Sequence, residues 1–560
     1  MARFIRYSFG FLLVLCGCGS MVPQSGLTTK PIKWVDFDYH SVPEPEEIKE
    51  NQIWDIVDHT FFYQVSKVLD LGWSARRLGN LVGMVDERQA DNVNVLDEVP
   101  QSSWYTNRHF LNRFTAQELL MGPGIALPDT TGVWEIYAGK FEGGTAGFTI
   151  KDAKGELYLL KFDSRGNNEM GSAAEVIATK ILYAAGYHVP QNSIVYFDPK
   201  ILVIGERARV PDGAGGKRPM KEDDLRAILQ GITVQPNGLL RCVVSKFLTG
   251  VPVGIFNYHG VRDDDPNDRV RHQHRRELRA LRVIGSWMND ADRRAANTLD
   301  MYVTDEYGRK YVKHYLIDMG STFGSNNLMP HLPKYGNEYV WDPGNVAKSI
   351  LAGGFFKKPW ENPLPMAYAE LGYFENETFR AHKWVPTYPN PAFERCTGRD
   401  GYWGAKIVMS FTDEDIATCV SAGQYSNPDA AKELTRLLIE RRDMIGKYWF
   451  GRVNPLDRFW VDREGLHFED LAISGNLERA SETVYESILM DAKGNGLHKP
   501  KMTSGENPQI HLSDFTQVKQ YYGVRLRTKR GSGAWSLPTI VYFYVWAPGQ
   551  YQIVRIERAD

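Results

Sequence analysis

The feature of this 560-residue sequence that most constrains its fold is a change of hydrophobic pattern at Thr249-Gly250. From residue 133 to this point, short apolar runs are separated by turn residues, which predicts an antiparallel β-meander, one helix and further strands. Beyond it, apolar residues recur three or four positions apart, which predicts a mostly helical region. The sequence therefore predicts an α+β fold of two lobes, with Thr249-Gly250 as the hinge.

The elements of the two lobes can be predicted individually. The alternating runs predict strands at 133–137, 147–150, 157–162, 193–197 and 240–247, and a helix at 174–185 that stops at Gly186. Amphipathic helices are predicted at 278–287 and 434–445, and a strand hairpin at 301–317 interrupts them.

Polar residues of the second lobe have the spacing that phosphoryl transfer requires. Asp292 and Asn297 form a D-x-x-x-x-N spacing, and Asp318 opens an Asp-x-Gly after a predicted strand. In such a site one carboxylate positions the hydroxyl nucleophile, whereas an amide oxygen and a second carboxylate hold magnesium against the phosphates. Carboxylates that converge repel unless a cation lies between them, so the site is predicted to depend on metal.

Residues 292–297, with the sequence DRRAAN, resemble the catalytic loop of atypical kinases of the HipA, phosphatidylinositol-kinase-like and CotH-type group. In that group the loop has the sequence Asp-Arg-His-x-x-Asn. The resemblance implies a two-lobed protein-kinase-like fold, with Asp292 as the catalytic residue and Asn297 and Asp318 as metal ligands. Arg294 is a departure, because the group usually has histidine at that position.

The resemblance extends upstream and covers roughly residues 131–450. The helix that carries Glu175 resembles the HipA-type helix whose glutamate pairs with the nucleotide-binding lysine, which implies that Glu175 pairs with Lys161. Gly143 and Gly144 lie in the glycine-rich turn of the meander and would bind the nucleotide by the same resemblance. The cofactors that the resemblance implies are ATP and magnesium.

Each of these residues also has an interpretation without chemistry. Lys161 could be a surface lysine at a strand end, and Glu175 could close a capping box with Ser172. The glycine-rich turn could simply serve a hairpin. Asp292 could cap a helix, and Asp318 could occupy a turn. The order of all the motifs along the chain favours the kinase-like interpretation.

Two other polar segments are predicted to carry no site. Residues 263–268, with the sequence DDDPND, lack the glycine and the terminal glutamate of a calcium loop, which predicts a solvated acidic turn. His272 and His274 lie in an arginine-rich approach to a helix and are predicted on an exposed face. The net charge of −2 gives no field that favours nucleic acid, so no nucleic-acid partner is expected.

The N-terminus has the pattern of an export signal. Two arginines precede a short apolar run and a small-residue string, and the run is shorter than the ~20 residues that span a membrane. Residues 15–18, with the sequence LCGC, resemble the lipobox of bacterial lipoproteins. This implies a signal peptide of residues 1–17, acylation of Cys18 with palmitate, and a membrane anchor. Gly19 favours the outer membrane of a Gram-negative bacterium. The alternative is an ordinary signal peptide cleaved nearby.

The length predicts more than one domain, because a single core stops growing at about 250–300 residues. A helix is predicted near 53–69. A single disulfide between Cys396 and Cys419 is one possibility that the sequence does not decide. The predicted organisation is a signal peptide at 1–17, a tether at 18–45, an N-terminal helical and loop extension at 46–130, a kinase-like N-lobe at 131–248, a kinase-like C-lobe at 249–455 and a small β-rich C-terminal module at 456–560.

The sequence thus favours a lipid-anchored envelope protein that transfers phosphoryl groups from ATP with magnesium. The acceptor is left open among protein, lipid and small molecule, and transfer of a nucleotidyl group is also open. The alternative is a non-catalytic envelope lipoprotein that uses a kinase-like fold as a binding scaffold, because ATP is expected to be scarce outside the inner membrane and fold alone does not prove activity.

Overall fold

The computed structural model describes residues 37–48, 88–140, 147–212, 216–340, 358–505, 508–512 and 517–560. The predicted signal peptide, Cys18, the helix predicted near 53–69, Gly143 and Gly144 lie outside these residues. The described chain divides into a larger unit of residues 37–455, 471–478 and 560, and a smaller unit of residues 456–470 and 479–559. Among the helices of the described chain, none is long and apolar enough to cross a membrane.

The first lobe of the larger unit is built on a six-stranded sheet in the order β4-β8-β3-β2-β1-β5. The strands β1, β2 and β3 pair antiparallel as the predicted meander, β8 lies between β3 and β4, and β5 pairs parallel with β1. The elements of this lobe are β1 Trp134–Lys140, β2 Gly147–Lys151, β3 Leu157–Lys161, α2 Met170–Ala184, β4 Asn192–Phe197, β5 Leu202–Ile204, β6 Arg209–Pro211, β7 Lys217–Pro219, α3 Glu222–Gln230 and β8 Leu240–Lys246.

Helix α2 is the element of this lobe that matters most for the site. Its sequence is rich in alanine, isoleucine and leucine, and nearly every side chain on it is buried. The predicted stop at Gly186 is confirmed by a backbone φ of +112°, which a residue without a Cβ adopts readily. The helix begins at Met170, four residues before the start that the apolar pattern predicted.

The second lobe is mostly helical, as predicted, and packs around one large apolar core that includes Leu281, Trp287 and Leu434. The predicted hairpin is formed by β10 and β11, and β9 adds a third strand to it. The elements are β9 Val251–Gly254, α4 Arg276–Met288, β10 Thr298–Thr304, β11 Lys310–Leu316, β12 Ser325–Asn326, β13 Met329–Pro330, α5 Gly398–Met409, α6 Asp413–Ser421, α7 Pro428–Arg452 and α8 Leu471–Ser474. The predicted α+β class with two lobes is confirmed.

The described part of the N-terminal extension packs against the C-terminal end of α2. Its helix, α1 (Ala116–Met121), begins with a capping box between Thr115 and Glu118. The Arg108 guanidinium donates to the carbonyl oxygens of Tyr183, at 2.8 Å, and Tyr187, at 2.9 Å. These bonds connect the extension to the last turn of α2 and to the residue that follows Gly186.

The smaller unit consists of two antiparallel sheets, in the orders β14-β15-β18 and β17-β16-β19-β20-β21. This confirms the β-rich character predicted for the C-terminal module, whereas the predicted domain boundaries stay predictions. The strands are β14 Leu456–Val461, β15 Leu466–Asp470, β16 Thr483–Asp491, β17 Lys501–Ser504, β18 Gln509–Ile510, β19 Gln520–Arg530, β20 Thr539–Ala547 and β21 Gln550–Arg558.

The prediction of a solvated acidic turn at 263–268 holds for Asp263 and Asp264, which are exposed, but it is wrong for Asp265, Asn267 and Asp268, which are buried. Asp268 is only 5% exposed, and its carboxylate accepts hydrogen bonds from His272 at 2.6 Å and from Arg275 at 3.0 Å. Burial alone would raise the pKa of Asp268, but the bond from His272 and the charges of His272 and Arg275 hold it well below its usual range. His272 and His274 are likewise buried, contrary to the predicted exposed face.

The described chain contains no group of three or more histidine, cysteine, aspartate or glutamate side chains placed to hold a metal. Cys242, Cys396 and Cys419 are free thiols, and the first and last of them are buried. The Cys396–Cys419 disulfide that the sequence left open is therefore not formed.

Candidate active site

The first part of the site is an ion pair between the sheet and α2. Lys161 ends β3, and its Nζ lies 3.0 Å from Oε2 of Glu175, which is in the second turn of α2. The other oxygen of Glu175 accepts a hydrogen bond from Asn192 of β4 at 3.1 Å. The lysine side chain is only 12% exposed, so the interpretation as a surface lysine is wrong.

The capping-box interpretation of Glu175 is also wrong. Because α2 begins at Met170, its N-cap is Glu169 and not Ser172. The backbone N–H of Ser172 donates to Oδ1 of Asp163 at 2.8 Å, and the Ser172 hydroxyl donates to Oδ2 of the same residue at 2.5 Å. Asp163 therefore caps the start of α2, and the Glu175 carboxylate points toward Lys161.

Asp318 joins this pair from the second lobe. Its Oδ1 lies 3.2 Å from Nζ of Lys161, although 157 residues separate the two in sequence. Burial by itself lowers the pKa of Lys161, but the charges of Asp318 and Glu175 outweigh burial and raise it above its usual value. Lys161 is therefore a cation at neutral pH. Asp318 itself has a φ of +52°, a left-handed conformation that is uncommon for residues other than glycine and recurs at functional sites.

Asp292 and Asn297 lie together in the loop between α4 and β10. Nδ2 of Asn297 donates to the backbone carbonyl of Asp292 at 2.6 Å and to its Oδ2 at 3.1 Å. The amide nitrogen of Asn297 thus faces Asp292, and its oxygen, the atom that a metal binds, lies on the other side of the amide. Burial raises the pKa of Asp292, and the Asp318 charge acts in the same direction. The two carboxylates therefore lie within each other's field.

Arg294, which occupies the position where the group's motif has histidine, contacts Asp292. Its Nε donates to Oδ1 of Asp292 at 3.1 Å, and its guanidinium lies 5.5 Å from the centre of the Tyr388 ring. Where the resembling kinases carry histidine, this chain places a permanent cation on the carboxylate that would orient the acceptor. The charge of Arg294 opposes the effect of burial on the pKa of Asp292.

Arg293, which the sequence did not single out, links the two loops of the site. Its side chain is 0% exposed, and its Nε donates to Oδ2 of buried Asp290 at 2.9 Å. The same guanidinium donates to the backbone carbonyls of Asn297 at 3.0 Å and Ile317 at 2.9 Å, and to that of Asp318 at 3.3 Å. It thereby fixes the Asp292–Asn297 loop against the segment that carries Asp318.

The structure thus brings five of the predicted site residues together in two connected groups. Lys161, Glu175 and Asp318 are in direct contact, and so are Asp292 and Asn297. The Asp318 carboxylate and the Asn297 amide oxygen are ligands that suit Mg²⁺, which is commonly held by one or two carboxylates together with substrate phosphates. The residues present therefore fit the implied metal. Their roles, and those of Gly143 and Gly144, stay predictions.

No protein-family model matches the sequence, and no curated protein is significantly similar to it. Among solved structures, it is similar to the Helicobacter pylori proinflammatory kinase CtkA, with 12% identity over 58% of this chain and 98% of that one and a TM-score of 0.30. It is also similar to the Golgi casein kinase, with 9% identity over 74% and 95% of the two chains and a TM-score of 0.28. For the Golgi casein kinase with Mn/ADP bound, the identity is 10% over 73% of this chain and 94% of that one, with a TM-score of 0.28.

Because these TM-scores are low, they add nothing to the interpretation of the site, which rests on its own geometry. The site lies in an α+β protein of two lobes and joins a strand-end lysine, the glutamate of a helix and an aspartate of the helical lobe.

Proposed function

We propose that this protein is a magnesium-dependent phosphotransferase that uses ATP. The observation that carries the proposal is the position of Lys161, which contacts Glu175 from its own lobe and Asp318 from the other. This three-part contact supports a cleft where a lysine holds phosphates beside a metal-binding carboxylate. In this proposal Lys161, held in place by Glu175, binds the phosphates together with the backbone around Gly143 and Gly144.

The catalytic loop would then act mainly by positioning. Asp292 orients the acceptor hydroxyl, and Asn297 and Asp318 hold magnesium, which supplies charge neutralisation on the phosphates. Arg294 places a positive charge next to Asp292, which favours the ionised carboxylate and opposes the burial that raises its pKa. The acceptor is a protein, a lipid or a small molecule with a hydroxyl group.

The direct test is calorimetric titration of the purified full-length protein with ATP, in the presence of Mg²⁺ and then of EDTA. We expect binding with Mg²⁺ and loss of binding when the metal is removed, because the two carboxylates repel the phosphates without it. If ATP does not bind with either Mg²⁺ or Mn²⁺, the phosphotransferase proposal fails.

The replacement of histidine by Arg294 favours a second candidate, a binding scaffold without turnover. Both oxygens of Asp292 accept hydrogen bonds within the loop, one from Arg294 and one from Asn297. An acceptor hydroxyl would share the Asp292 carboxylate with these two bonds. The scaffold predicts nucleotide binding without any transfer, and a turnover assay with radiolabelled ATP separates the two candidates.

We also propose that the chain is exported and anchored through acylated Cys18 to the outer membrane of a Gram-negative bacterium. Support comes from the lipobox-like sequence at 15–18. Buried acyl chains supply membrane affinity of about 0.8 kcal/mol per methylene.

Cys18→Ser is therefore expected to abolish labelling with radioactive palmitate and to leave an unprocessed precursor in cells. The matched control is Cys16→Ser, which changes the neighbouring cysteine but keeps a small residue, and it is expected to be labelled normally. Equal labelling of the Cys18→Ser variant and the original protein would show that another residue is acylated.

A further inference from the structure

The N-terminal end of α2 contains a residue in an unfavourable backbone conformation. Glu169, the N-cap, has a φ of +67°, a left-handed conformation that is unfavourable for residues other than glycine. Its backbone N–H donates to Asp163 at 3.0 Å, and its Oε2 accepts the backbone N–H of Ser426 at 2.8 Å. Ser426 lies in the second lobe, between α6 and α7. The unusual conformation therefore coincides with a contact between the two lobes.

A buried arginine makes a parallel contact from the sheet. Arg241 of β8 is 3% exposed, and its Nε donates to the hydroxyl of Ser172, in the first turn of α2, at 3.1 Å. The two terminal nitrogens donate to the carbonyl oxygens of Gln424 at 2.9 Å and Gly423 at 2.7 Å. One side chain thus connects the first-lobe sheet, the start of α2 and the 423–426 segment of the second lobe.

These contacts affect the position of Glu175, because Glu175 lies one turn beyond Ser172 on the same helix. A guanidinium with several fixed donors holds its partners in one geometry, and a buried acceptor that loses its donor is costly to leave unpaired. The other end of α2 is held by Arg108 through the carbonyls of Tyr183 and Tyr187. The helix is therefore held at both ends, and neither hold involves a residue of the ion pair itself.

We propose that Arg241 and Glu169 are positioning residues that hold α2 against the 423–426 segment, so that Glu175 stays within reach of Lys161 before any nucleotide binds. The consequence for catalysis rests on the proposed function. The lysine and glutamate are then pre-organised, and the protein needs no separate event to bring α2 into place.

The chain offers variants that separate this role from a general loss of stability. Arg241→Lys keeps the charge but cannot reach Ser172, Gly423 and Gln424 together. Glu169→Gly relieves the left-handed strain and removes the carboxylate, whereas Glu169→Gln keeps an oxygen that can accept from Ser426. The matched control is Arg441→Lys.

Arg441 is a suitable control because its burial and bonding resemble those of Arg241. It is also 3% exposed, and it donates to Asn376 at 2.9 Å, to the Ser286 carbonyl at 3.3 Å and to the Glu375 carbonyl. All these partners lie in the second lobe and not on α2. Shortening Arg441 therefore reports the general effect of disturbing a buried arginine.

The experiment combines hydrogen exchange on the ligand-free full-length protein with calorimetric titration of Mg²⁺ and a non-hydrolysable ATP analogue. Arg241→Lys and Glu169→Gly are expected to speed exchange of the amides in the first two turns of α2 by about tenfold. If the paired arrangement then survives in about one molecule in ten, the apparent Kd for the analogue rises about tenfold. Arg441→Lys and Glu169→Gln are expected to leave both quantities within about twofold of the original protein.

Every other result contradicts one step of the proposal. Unchanged exchange in α2 would overturn the hold itself. Faster exchange with unchanged affinity would overturn the positioning role, and an equal effect of Arg441→Lys would mean that only general stability had changed. If the original protein binds no analogue, the phosphotransferase proposal fails, and the exchange rates alone then decide whether Arg241 and Glu169 hold α2.

Discussion

Asp318→Ala is expected to abolish magnesium-dependent binding of ATP, whereas Asp292→Ala is expected to leave binding intact and to abolish turnover. Asp318 contacts Lys161 at 3.2 Å and is the carboxylate that would hold the metal with Asn297, so its loss removes a ligand and also a partner of the phosphate-binding lysine. Asp292 is bonded within its own loop, to Arg294 and Asn297, whereas Lys161 contacts Glu175 and Asp318. A residue that orients or deprotonates the acceptor contributes typically 10²–10⁴-fold to the rate, so turnover should fall by about that factor.

The measurements are calorimetric affinity for Mg²⁺ and ATP and a turnover assay with radiolabelled ATP. Asp305→Ala is the control, because Asp305 is an aspartate of the same lobe that bonds Arg309 in the β10–β11 turn. It should change neither affinity nor rate. If both site variants lost binding to the same extent, the separate roles of Asp292 and Asp318 would be wrong. If all variants bound and turned over ATP like the original protein, the site would lie elsewhere.

The elements around the site could be predicted because their signals are local. The meander, α2 and the β10–β11 hairpin follow from residue periodicity and turn residues, and the structure has all of them. The pairing of Lys161 with Glu175 is different. It joins a strand end to a helix, and it was indicated by the resemblance of that helix to the HipA-type helix and by the order of the motifs along the chain.

The start of α2 shows where a local motif was ambiguous. Ser172 and Glu175 have the spacing of a capping box, but Asp163 caps the helix from nine residues upstream of Ser172. The helix can therefore begin at Met170, and the Glu175 side chain is not needed as a cap and contacts Lys161. A capping motif describes what a short segment can do alone, and a distant carboxylate changed the outcome here.

The 263–268 segment illustrates a second limit. A run of aspartates is usually solvated, because a buried charge needs a partner. Here His272 and Arg275 supply the partners for Asp268, and both come from the residues just before α4. Whether such partners converge depends on tertiary structure, and hydropathy or charge patterns do not report it.

Arg293 is a third case, and it yields the largest expected effect on stability. It lies inside the recognised motif, yet the carbonyl of Asp318 that it binds is 25 residues away. Replacing Arg293 with methionine leaves Asp290 as a buried carboxylate without its ion-pair partner. Breaking a buried pair in this way costs about 3–5 kcal/mol of folding free energy. Chemical denaturation at pH 8 should show a loss of that size for Arg293→Met.

The loss should also depend on pH, with a sign that identifies Asp290 as its origin. Burial already raises the pKa of Asp290 in the original protein, and removal of the Arg293 charge raises it further. A carboxyl group whose pKa is higher in the folded than in the unfolded state binds more protons when the protein is folded. The stability of the variant therefore falls as pH rises from the pKa of the unfolded state, about 3.9, through the pKa of the folded state. The deficit should therefore be smaller at pH 5 than at pH 8. The double variant Asp290→Asn/Arg293→Met removes the titrating group, so it should regain part of the stability and lose this pH dependence. An equal deficit at both pH values, or no recovery in the double variant, would mean that the unpaired Asp290 carboxylate is not the origin of the lost stability.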